Sequence, residues 1–163
     1  MRRQIAVVGS DGEISGKARS AAERIGRDIA LNDCILICGG RGGVMEAACK
    51  GAKDAGGLTV GILPSLEKTE ANKYVDVAIT TSLGYARNAL VVSAADAVIA
   101  VSGSIGTLSE IALALNYEKP VVIVDDSGGI SPQMEKLDDR KIRESVVKSN
   151  YAEAVSTALK LIS

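Results

Sequence analysis

Short apolar runs alternate with helical patterns along most of this chain, and that alternation limits the fold more than any other feature. The runs are rich in Val and Ile, as is typical of strands buried on both faces, and they cover residues 5–8, 35–38, 58–63, 75–79, 97–101 and 121–124. Helical spacing covers residues 16–31, 43–55, 87–95 and 107–116. This order predicts an α/β fold: a Rossmann-like, doubly wound, mostly parallel sheet flanked by helices on both faces.

The sequence marks the strands at residues 75–79 and near residues 145–148 less clearly. No clear crossover helix precedes residues 75–79, so this strand is open to an edge position. A weak strand near residues 145–148 is expected to lead to Asn150, an N-cap with Glu153 as its reciprocal carboxylate, and then to a C-terminal helix that packs on the sheet. Residues 125–143 are rich in turn formers and are expected to form a mobile loop. Residues 1–163 are predicted to form one domain.

Composition excludes several classes of function. Lys and Arg total 19 against 20 Asp and Glu, a net charge of −1, so there is no basic field for extended nucleic acid or for an anionic membrane. The aromatic residues are four tyrosines, which do not make a stacking platform. With no histidine, the chain cannot carry a Ser-His-Asp triad, a Cys-His dyad or an HExxH zinc site. We expect no metal site and no required cofactor.

The cysteines and the hydropathy bear on the compartment. Cys34, Cys38 and Cys49 are an odd number in a spacing that makes neither a disulfide framework nor a zinc knuckle, so buried reduced thiols are expected. No apolar stretch reaches the length of about 18 residues that a membrane span needs. We therefore expect a cytoplasmic protein.

Two glycine-rich segments follow apolar runs and open helical patterns, and they carry the strongest indication of function. The first reads C-G-G-R-G-G-V-M-E at residues 38–46, and the second reads S-G-S-I-G-T-L-S-E at residues 102–110. Loops without Cβ atoms let main-chain N–H groups approach an anion, and the helix that begins there adds the positive end of its dipole. Two such segments predict one phosphorylated small-molecule ligand.

In a doubly wound sheet both segments share one edge, because ligands bind at the carboxyl ends of the strands where the winding reverses. Two familiar phosphate motifs fail: residues 12–18 lack the spacing of a Walker loop, and no G-x-G-x-x-G follows the first strand, which disfavours a nicotinamide dehydrogenase. The candidate ligand-binding residues are Gly9, Ser10, Gly39, Gly40, Arg41, Gly42, Gly43, Arg87, Asn88, Ser102, Gly103, Ser104, Gly106, Thr107 and Glu110.

These motifs resemble those of the LOG-like family, the Lonely Guy phosphoribohydrolases often mislabelled as lysine decarboxylases, and especially its molybdenum-cofactor-carrier-like branch. Residues 102–110 match the family's P-G-G-x-G-T-x-x-E segment, residues 38–46 match its G-G-G-x-x-G-L-M-G segment, and Arg87-Asn88 falls at its helix-opening arginine. In the hydrolases, that arginine and the final glutamate act on a nucleoside monophosphate, while the glycine loop and the threonine hold the 5′-phosphate. The resemblance implies catalytic roles for Arg87 and Glu110 if this chain is an enzyme.

Four positions depart from the family's motifs: Ser102 replaces the proline, Ser104 a glycine, Cys38 the first glycine of the earlier segment, and Glu46 its last residue. Ser104 adds a side chain where the main chain meets the ligand, although its hydroxyl can donate to a phosphate oxygen. The G-G-V-M-E stretch looks more like the carrier-like branch, whose members are similar to proteins that bind the pterin cofactor without turning it over. The departures favour binding over catalysis.

Several candidates also have purely structural explanations. Thr107 and Glu110 fit a capping box that satisfies the first N–H groups of their helix. Arg41, flanked by glycines, is either a bidentate phosphate clamp or an exposed, solvated side chain. Arg87 is predicted at a helix start, where a cation is unfavourable, and this indicates a compensating anion nearby.

Apolar residues cover nearly the whole circumference of the predicted helix at residues 107–116, and many occur in the helix before it. A surface helix rarely has this pattern, so we expect a partner surface, most simply in a homodimer or a higher homo-oligomer. Burial under the C-terminal helix is the alternative.

Three hypotheses of function follow. The first is a binding or carrier protein for an AMP-like nucleotide or a molybdopterin-type cofactor. The second is an enzyme that cleaves the N-glycosidic bond of a nucleoside 5′-monophosphate to release the base and ribose 5-phosphate. The third is an interaction subunit with a vestigial pocket. Lysine decarboxylation is disfavoured, since nothing marks any lysine as a pyridoxal anchor.

Overall fold

A computed structural model describes residues 1–129 and 140–163, apart from the side chains at positions 126 and 141–143. The expected mobile loop at residues 125–143 lies largely outside this described part. Of the segment, Asp125–Ser127 form a 3₁₀ turn and Arg140 begins a short helix.

Across the described residues, seven parallel strands form one sheet, in the order β4-β3-β2-β1-β5-β6-β7. The strands are β1 (Gln4–Gly9), β2 (Ile35–Cys38), β3 (Leu58–Leu63), β4 (Val77–Thr80), β5 (Ala97–Val101), β6 (Val121–Val124) and β7 (Val146–Ser149). The helices are α1 (Gly16–Leu31), α2 (Gly43–Asp54), α3 (Asn88–Ser93), α4 (Ile105–Asn116), α5 (Arg140–Ser145) and α6 (Ala154–Leu161). The predicted doubly wound α/β architecture is confirmed, and the winding reverses between β1 and β5.

Helices cover both faces of the sheet, because strands such as β5 are buried along their whole length and present apolar side chains in both directions. One core contains side chains of α1, α2 and α6, and the other contains side chains of α3 and α4. The expected packing of the C-terminal helix on the sheet is confirmed. The suggestion that it covers the helix at residues 107–116 is wrong, since α6 and α4 lie on opposite faces.

The fourth strand is an edge strand, at the position left open by the missing crossover helix. It begins at Val77, two residues later than the apolar pattern suggests. The reason is Asp76, whose carboxylate accepts hydrogen bonds from the N–H (3.0 Å) and hydroxyl (3.1 Å) of Thr59 and pairs with Lys53 Nζ at 2.6 Å. This network holds the chain beside β3 before β4 starts.

Helix starts differ most from the expected boundaries. The fourth helix begins at Ile105, with Ser104 as its N-cap, rather than at Thr107. The third helix begins at Asn88, after a 3₁₀ turn over Gly84–Arg87. Near the C-terminus, Asn150 Oδ1 accepts from the N–H groups of residues 152 and 153, so it closes the turn before α6. The N-cap is Glu153, not Asn150, and its side chain makes no capping hydrogen bond.

Within residues 1–129 and 140–163, no helix combines both the length and the apolar character that crossing a bilayer requires.

Candidate functional site

A hollow of about 360 Å³ opens at the carboxyl edge of the sheet, beside the point where the winding reverses. The last residue pair of the β1–β5 ladder is Gly9 with Val101, so the loops that leave these two strands start side by side. This is where doubly wound folds bind ligands, and the volume suits a small molecule. The hollow is lined by Gly9, Asp11, Met45, Tyr85, Arg87, Asn88, Ser104, Ile105, Gly106, Thr107 and Glu110.

The start of α4 forms one wall of the hollow. The first N–H groups of an α-helix have no partner inside the helix, and in α4 the ones outside the Ser104–Thr107 capping box belong to Ile105 and Gly106. The Thr107 hydroxyl accepts the N–H of Ser104 at 3.4 Å, which holds the turn in place. A Cβ at Gly106 would meet nothing within 4 Å, so this part of the wall is open. The wall presents main-chain donors and the positive end of a helix dipole.

Arg87 lies at the base of the hollow and is only 8% exposed. Its Nη1 donates to Asn88 Oδ1 at 2.6 Å, and its Nη2 donates to the carbonyl oxygen of Gly39 at 3.3 Å. A Cβ at position 39 would lie 2.5 Å from Nη2, so glycine is required there for the guanidinium to fit. Burial lowers the pKa of Arg87, and the nearby Glu110 carboxylate opposes that shift. The Arg87 Nε is buried without a hydrogen-bond partner among the described residues.

Glu110 projects from the second turn of α4, and it is 7% exposed. Its Oε1 lies 3.8 Å from Arg87 Nη1. Burial raises the pKa of Glu110 to about 7, and the positive charge of Arg87 only partly offsets that shift. The capping interpretation of Glu110 is wrong, because α4 begins five residues before it and the first turn is held by Ser104 and Thr107. A carboxyl group that titrates near neutral pH can act as an acid or a base.

Asn88 connects Arg87 to α4. Its Nδ2 donates to Ser109 Oγ at 3.0 Å, and Ser109 Oγ donates to the carbonyl oxygen of Gly106 at 2.7 Å. These bonds orient the amide so that Oδ1 faces the guanidinium. The arginine therefore has a fixed position relative to the α4 donors.

The first glycine-rich loop, residues 39–43, is closed by the protein's own acceptors. The Gly42 N–H donates to Asp11 Oδ1 at 3.0 Å, and the Val44 N–H donates to the Ser10 carbonyl oxygen at 3.0 Å. The Gly40 N–H donates to Cys38 Sγ at 3.3 Å. Arg41 pairs with Asp11, Nε to Oδ2, at 3.4 Å. Donors that the sequence suggests for a phosphate thus have internal partners.

Seven of the fifteen candidates meet around the hollow: Gly9, Arg87, Asn88, Ser104, Gly106, Thr107 and Glu110. The other eight do not line it: Ser10, Gly39, Gly40, Arg41, Gly42, Gly43, Ser102 and Gly103. Several of these shape the site from behind. Ser102, for example, donates its N–H to Ser127 Oγ at 2.6 Å. All fifteen remain predictions as ligand-binding residues.

Four lining residues were missed by sequence reasoning: Asp11, Met45, Tyr85 and Ile105. Asp11 stands in the loop after the first strand, so its position on the rim was a usable signal. Met45 looks like a core residue, and it is indeed largely buried. Tyr85 is 89% exposed and Ile105 is 74% exposed, and no local pattern shows that these two side chains share the mouth of a hollow.

The three cysteines are buried free thiols, as their number predicts. Cys38 and Cys49 lie with their sulfur atoms 3.5 Å apart beneath the first loop. The hydrogen bond with Cys38, together with burial, raises the pKa of the Cys49 thiol. These thiols support the loop from the core side.

The chain matches one protein family along most of its length and resembles several known proteins. The model of the SLOG cluster4 family matches residues 2–156. An uncharacterised protein of Archaeoglobus fulgidus is 48% identical over 118 residues, 72% of this chain and 77% of the relative. A cytokinin riboside 5′-monophosphate phosphoribohydrolase of Rhodococcoides fascians is 25% identical over 145 residues, 82% of this chain and 73% of the relative.

Two solved structures superpose over nearly the whole chain. The molybdenum cofactor binding protein of Rippkaea orientalis is 36% identical with a TM-score of 0.91, covering 100% of this chain and 99% of the other. The molybdenum cofactor carrier protein of Chlamydomonas reinhardtii is 34% identical with a TM-score of 0.87, covering 99% and 98%. The resemblance to LOG-like proteins and to their cofactor-carrier branch is confirmed.

Proposed function

Since the chain belongs to the SLOG cluster4 family, we propose that it binds a phosphorylated heterocyclic ligand, a nucleotide or a molybdopterin-type cofactor, and serves as a binding or carrier protein. One observation carries the proposal. Arg87, whose Nε is buried without a hydrogen-bond partner among the described residues, lines a hollow that the first residues of α4 also line. A buried donor without a partner lowers the stability of a protein. A ligand acceptor that reached the Arg87 Nε would therefore contribute favourable binding free energy.

The phosphate group would lie against the start of α4. The N–H groups of Ile105 and Gly106 and the hydroxyl of Thr107 are donors there, and the Arg87 guanidinium supplies a full positive charge from below. Hydrogen bonds between charged groups are shorter and stronger than neutral ones. The residues of the hollow therefore fit an anionic ligand, and this holds for a nucleotide phosphate and for a pterin phosphate alike.

The heterocycle would lie nearer the mouth. Tyr85 and Ile105 line the hollow there, and both are far more exposed than aromatic or branched apolar side chains usually are. Covering them with a flat ring would remove apolar surface from water. This arrangement places a polar group deep in the hollow and an apolar one at its opening.

Binding is preferred over turnover for two reasons. The proteins of Rippkaea orientalis and Chlamydomonas reinhardtii, which resemble this chain over nearly its full length, are described as binding or carrying the molybdenum cofactor. The chain also replaces the hydrolase motif's proline and a glycine with Ser102 and Ser104.

The second candidate is a nucleoside 5′-monophosphate phosphoribohydrolase, and Glu110 favours it. A carboxyl with a pKa of about 7, beside Arg87, is poised to stabilise an oxocarbenium-like ribose or to activate water. Arg87 would orient the substrate through its phosphate. The relative in Rhodococcoides fascians is named for this reaction.

We further propose that the protein is a homo-oligomer in the cytoplasm. Leu90 of α3 and Tyr117, just after α4, expose apolar surface, and α3 and α4 pack on the sheet face that α6 does not cover. A second copy is the simplest partner for such a surface. Three buried free thiols are typical of a reducing compartment.

Incubation of the protein with AMP separates the hypotheses, with ribose 5-phosphate release and bound AMP measured in the same samples. Binding without release supports a carrier. Release that Glu110→Gln abolishes supports the hydrolase, because glutamine can neither take up a proton nor carry the charge. Glu23→Gln is the matched control, since Glu23 pairs with Lys50 on the surface between α1 and α2, away from the hollow.

Three results would contradict one or the other candidate. Release that persists in Glu110→Gln would refute the role of this carboxyl. Tight binding that does not require the phosphate, shown with adenosine in place of AMP, would refute the anion site. Absence of any phosphate-dependent binding, for AMP and for a molybdopterin phosphate, would leave the interaction-subunit hypothesis.

A further inference from the structure

Charged groups of both signs line the hollow. On the α4 side, the first N–H groups of the helix and the Arg87 guanidinium present positive charge, with the buried Glu110 carboxyl beside the arginine. On the other side stands the carboxylate of Asp11, which lines the same hollow and is 43% exposed at its side chain. A ligand that fills the hollow meets both.

Asp11 accepts an N–H group at the start of α2, where a helix can otherwise offer its N–H groups to an anion. Its Oδ1 accepts the N–H of Gly42, the N-cap of α2, at 3.0 Å, and also the N–H of Gly12 at 2.9 Å. The Asp11 carboxylate thus makes the same kind of contact with the start of α2 that bound anions make with helix N-termini. A Cβ at position 42 would lie 3.1 Å from the same oxygen, so glycine allows the carboxylate to approach this closely.

Asp11 also pairs with Arg41, Nε to Oδ2, at 3.4 Å. Arg41, which the sequence suggests as a phosphate clamp, is therefore already paired with a carboxylate. A phosphate at the same edge would meet the negative charge of Asp11, and the repulsion would weaken with added salt because this carboxylate is partly exposed. The α2 side of the hollow therefore disfavours a phosphate and offers a carboxylate oxygen to a hydrogen-bond donor.

We propose that Asp11 is a specificity-determining residue that restricts the hollow to ligands with one phosphate and with a donor group, a hydroxyl or an amine, at the opposite side. The inference rests on the proposed function, since it assumes that a phosphate binds at the start of α4. Ligands that carry phosphates at both sides are rejected by the carboxylate. A ribose 5′-phosphate unit with free hydroxyls, or a phosphorylated pterin with its amino group, meets this requirement.

The test compares AMP with adenosine 3′,5′-bisphosphate, which places a second phosphate on the ribose in place of a hydroxyl. Binding is measured by equilibrium dialysis at low and at high salt, and the recovered ligand is checked for cleavage. Wild-type protein is expected to prefer AMP. In Asp11→Asn the affinity for the bisphosphate relative to AMP should rise about tenfold at low salt and less at high salt.

Two further variants keep the result interpretable. Asp28→Asn removes a carboxylate that pairs with Arg24 on α1, outside the hollow, and should leave the ratio unchanged. Arg41→Gln leaves Asp11 without its cation and should lower the bisphosphate-to-AMP ratio roughly threefold, the opposite direction from Asp11→Asn.

The outcomes separate this inference from the proposed function. If AMP binds but the ratio is the same in wild type, Asp11→Asn and Arg41→Gln, the role of Asp11 is refuted and the phosphate site stands. A ratio that rises in Arg41→Gln refutes it as well, also if Asp11→Asn does not fold. If no protein binds AMP or the bisphosphate, the proposed function fails and this inference fails with it.

Discussion

The first and second glycine-rich loops follow buried strands and begin helices, yet they differ in what their N–H groups bind. In the first loop, the donors of Gly42 and Val44 are taken by Asp11 and by the Ser10 carbonyl oxygen. In the second, the residues at the start of α4 line the hollow. Similar spacing therefore yields one closed loop and one open one.

The difference teaches that a glycine-rich strand-to-helix turn predicts a donor cluster but not its acceptor. The acceptor depends on the neighbouring loop, and β1 lies between β2 and β5 in the sheet. The loop after β1 supplies Asp11 to the β2 side. On the β5 side, Arg87 supplies a positive charge, and its Nη1 lies 3.8 Å from Glu110 Oε1.

The largest expected effect tests the closed loop. Gly43 has a φ of +61°, and a Cβ there would lie 2.2 Å from the Ser10 carbonyl oxygen. Gly43→Ala should lower the free energy of unfolding by roughly 2–4 kcal/mol, through left-handed strain and a contact with rigid main chain. Urea unfolding measures this loss.

Gly12→Ala is the control for the strain alone. Gly12 has a φ of +76°, and a Cβ there would meet nothing within 4 Å, so the loss should be about 1–2 kcal/mol. Equal losses in the two variants would show that Gly43 does not pack closely against the Ser10 carbonyl oxygen.

The next effect concerns the carboxyl beneath the open loop. Burial raises the pKa of Glu110 from an ordinary 4.5 to about 7, so the folded protein retains a proton that the unfolded chain has lost in this pH window. The contribution of Glu110 to the free energy of unfolding is therefore fully present below about pH 4.5. It falls by about 3 kcal/mol as the pH rises to 7.

Glu110→Gln should remove this part of the pH dependence, because glutamine resembles the protonated side chain and never ionises. Unfolding free energies measured from pH 4 to pH 8 should converge at the acid end, and the variant should be the more stable protein at the alkaline end. Parallel curves for the two proteins would contradict the buried, near-neutral carboxyl.

The smallest effect on stability tests the open loop. Gly106→Ala places a methyl group in open space at the wall of the hollow, so AMP affinity should fall about tenfold. Stability should be unchanged or higher by up to about 1 kcal/mol, since alanine is the better helix former. Calorimetric titration and thermal unfolding measure the two quantities.

Gly16→Ala is the matched control, because Gly16 opens α1 and a Cβ there would also meet nothing within 4 Å. It should leave AMP affinity unchanged. Equal binding by wild type and Gly106→Ala would indicate that the ligand does not approach the start of α4.

Much of the fold follows from the sequence. The Val- and Ile-rich runs predicted β1 to β6, a weaker pattern predicted β7, and the missing crossover helix indicated that β4 lies at an edge. Helix starts were less predictable. The first turn of α4 is held by Ser104 and Thr107, whereas the sequence pattern pointed to a capping box of Thr107 and Glu110.

The sequence by itself determined the α/β class, the mostly parallel sheet and the two donor-rich turns. Apolar runs and glycine positions can be read locally along the chain. Only the tertiary structure decided which turn stays open. Asp11 reaches Gly42 across 31 positions, Arg87 reaches Gly39 across 48, and burial between packed elements sets the ionisation of Glu110. Distance, burial and charge between remote segments exist only once the sheet has brought them together.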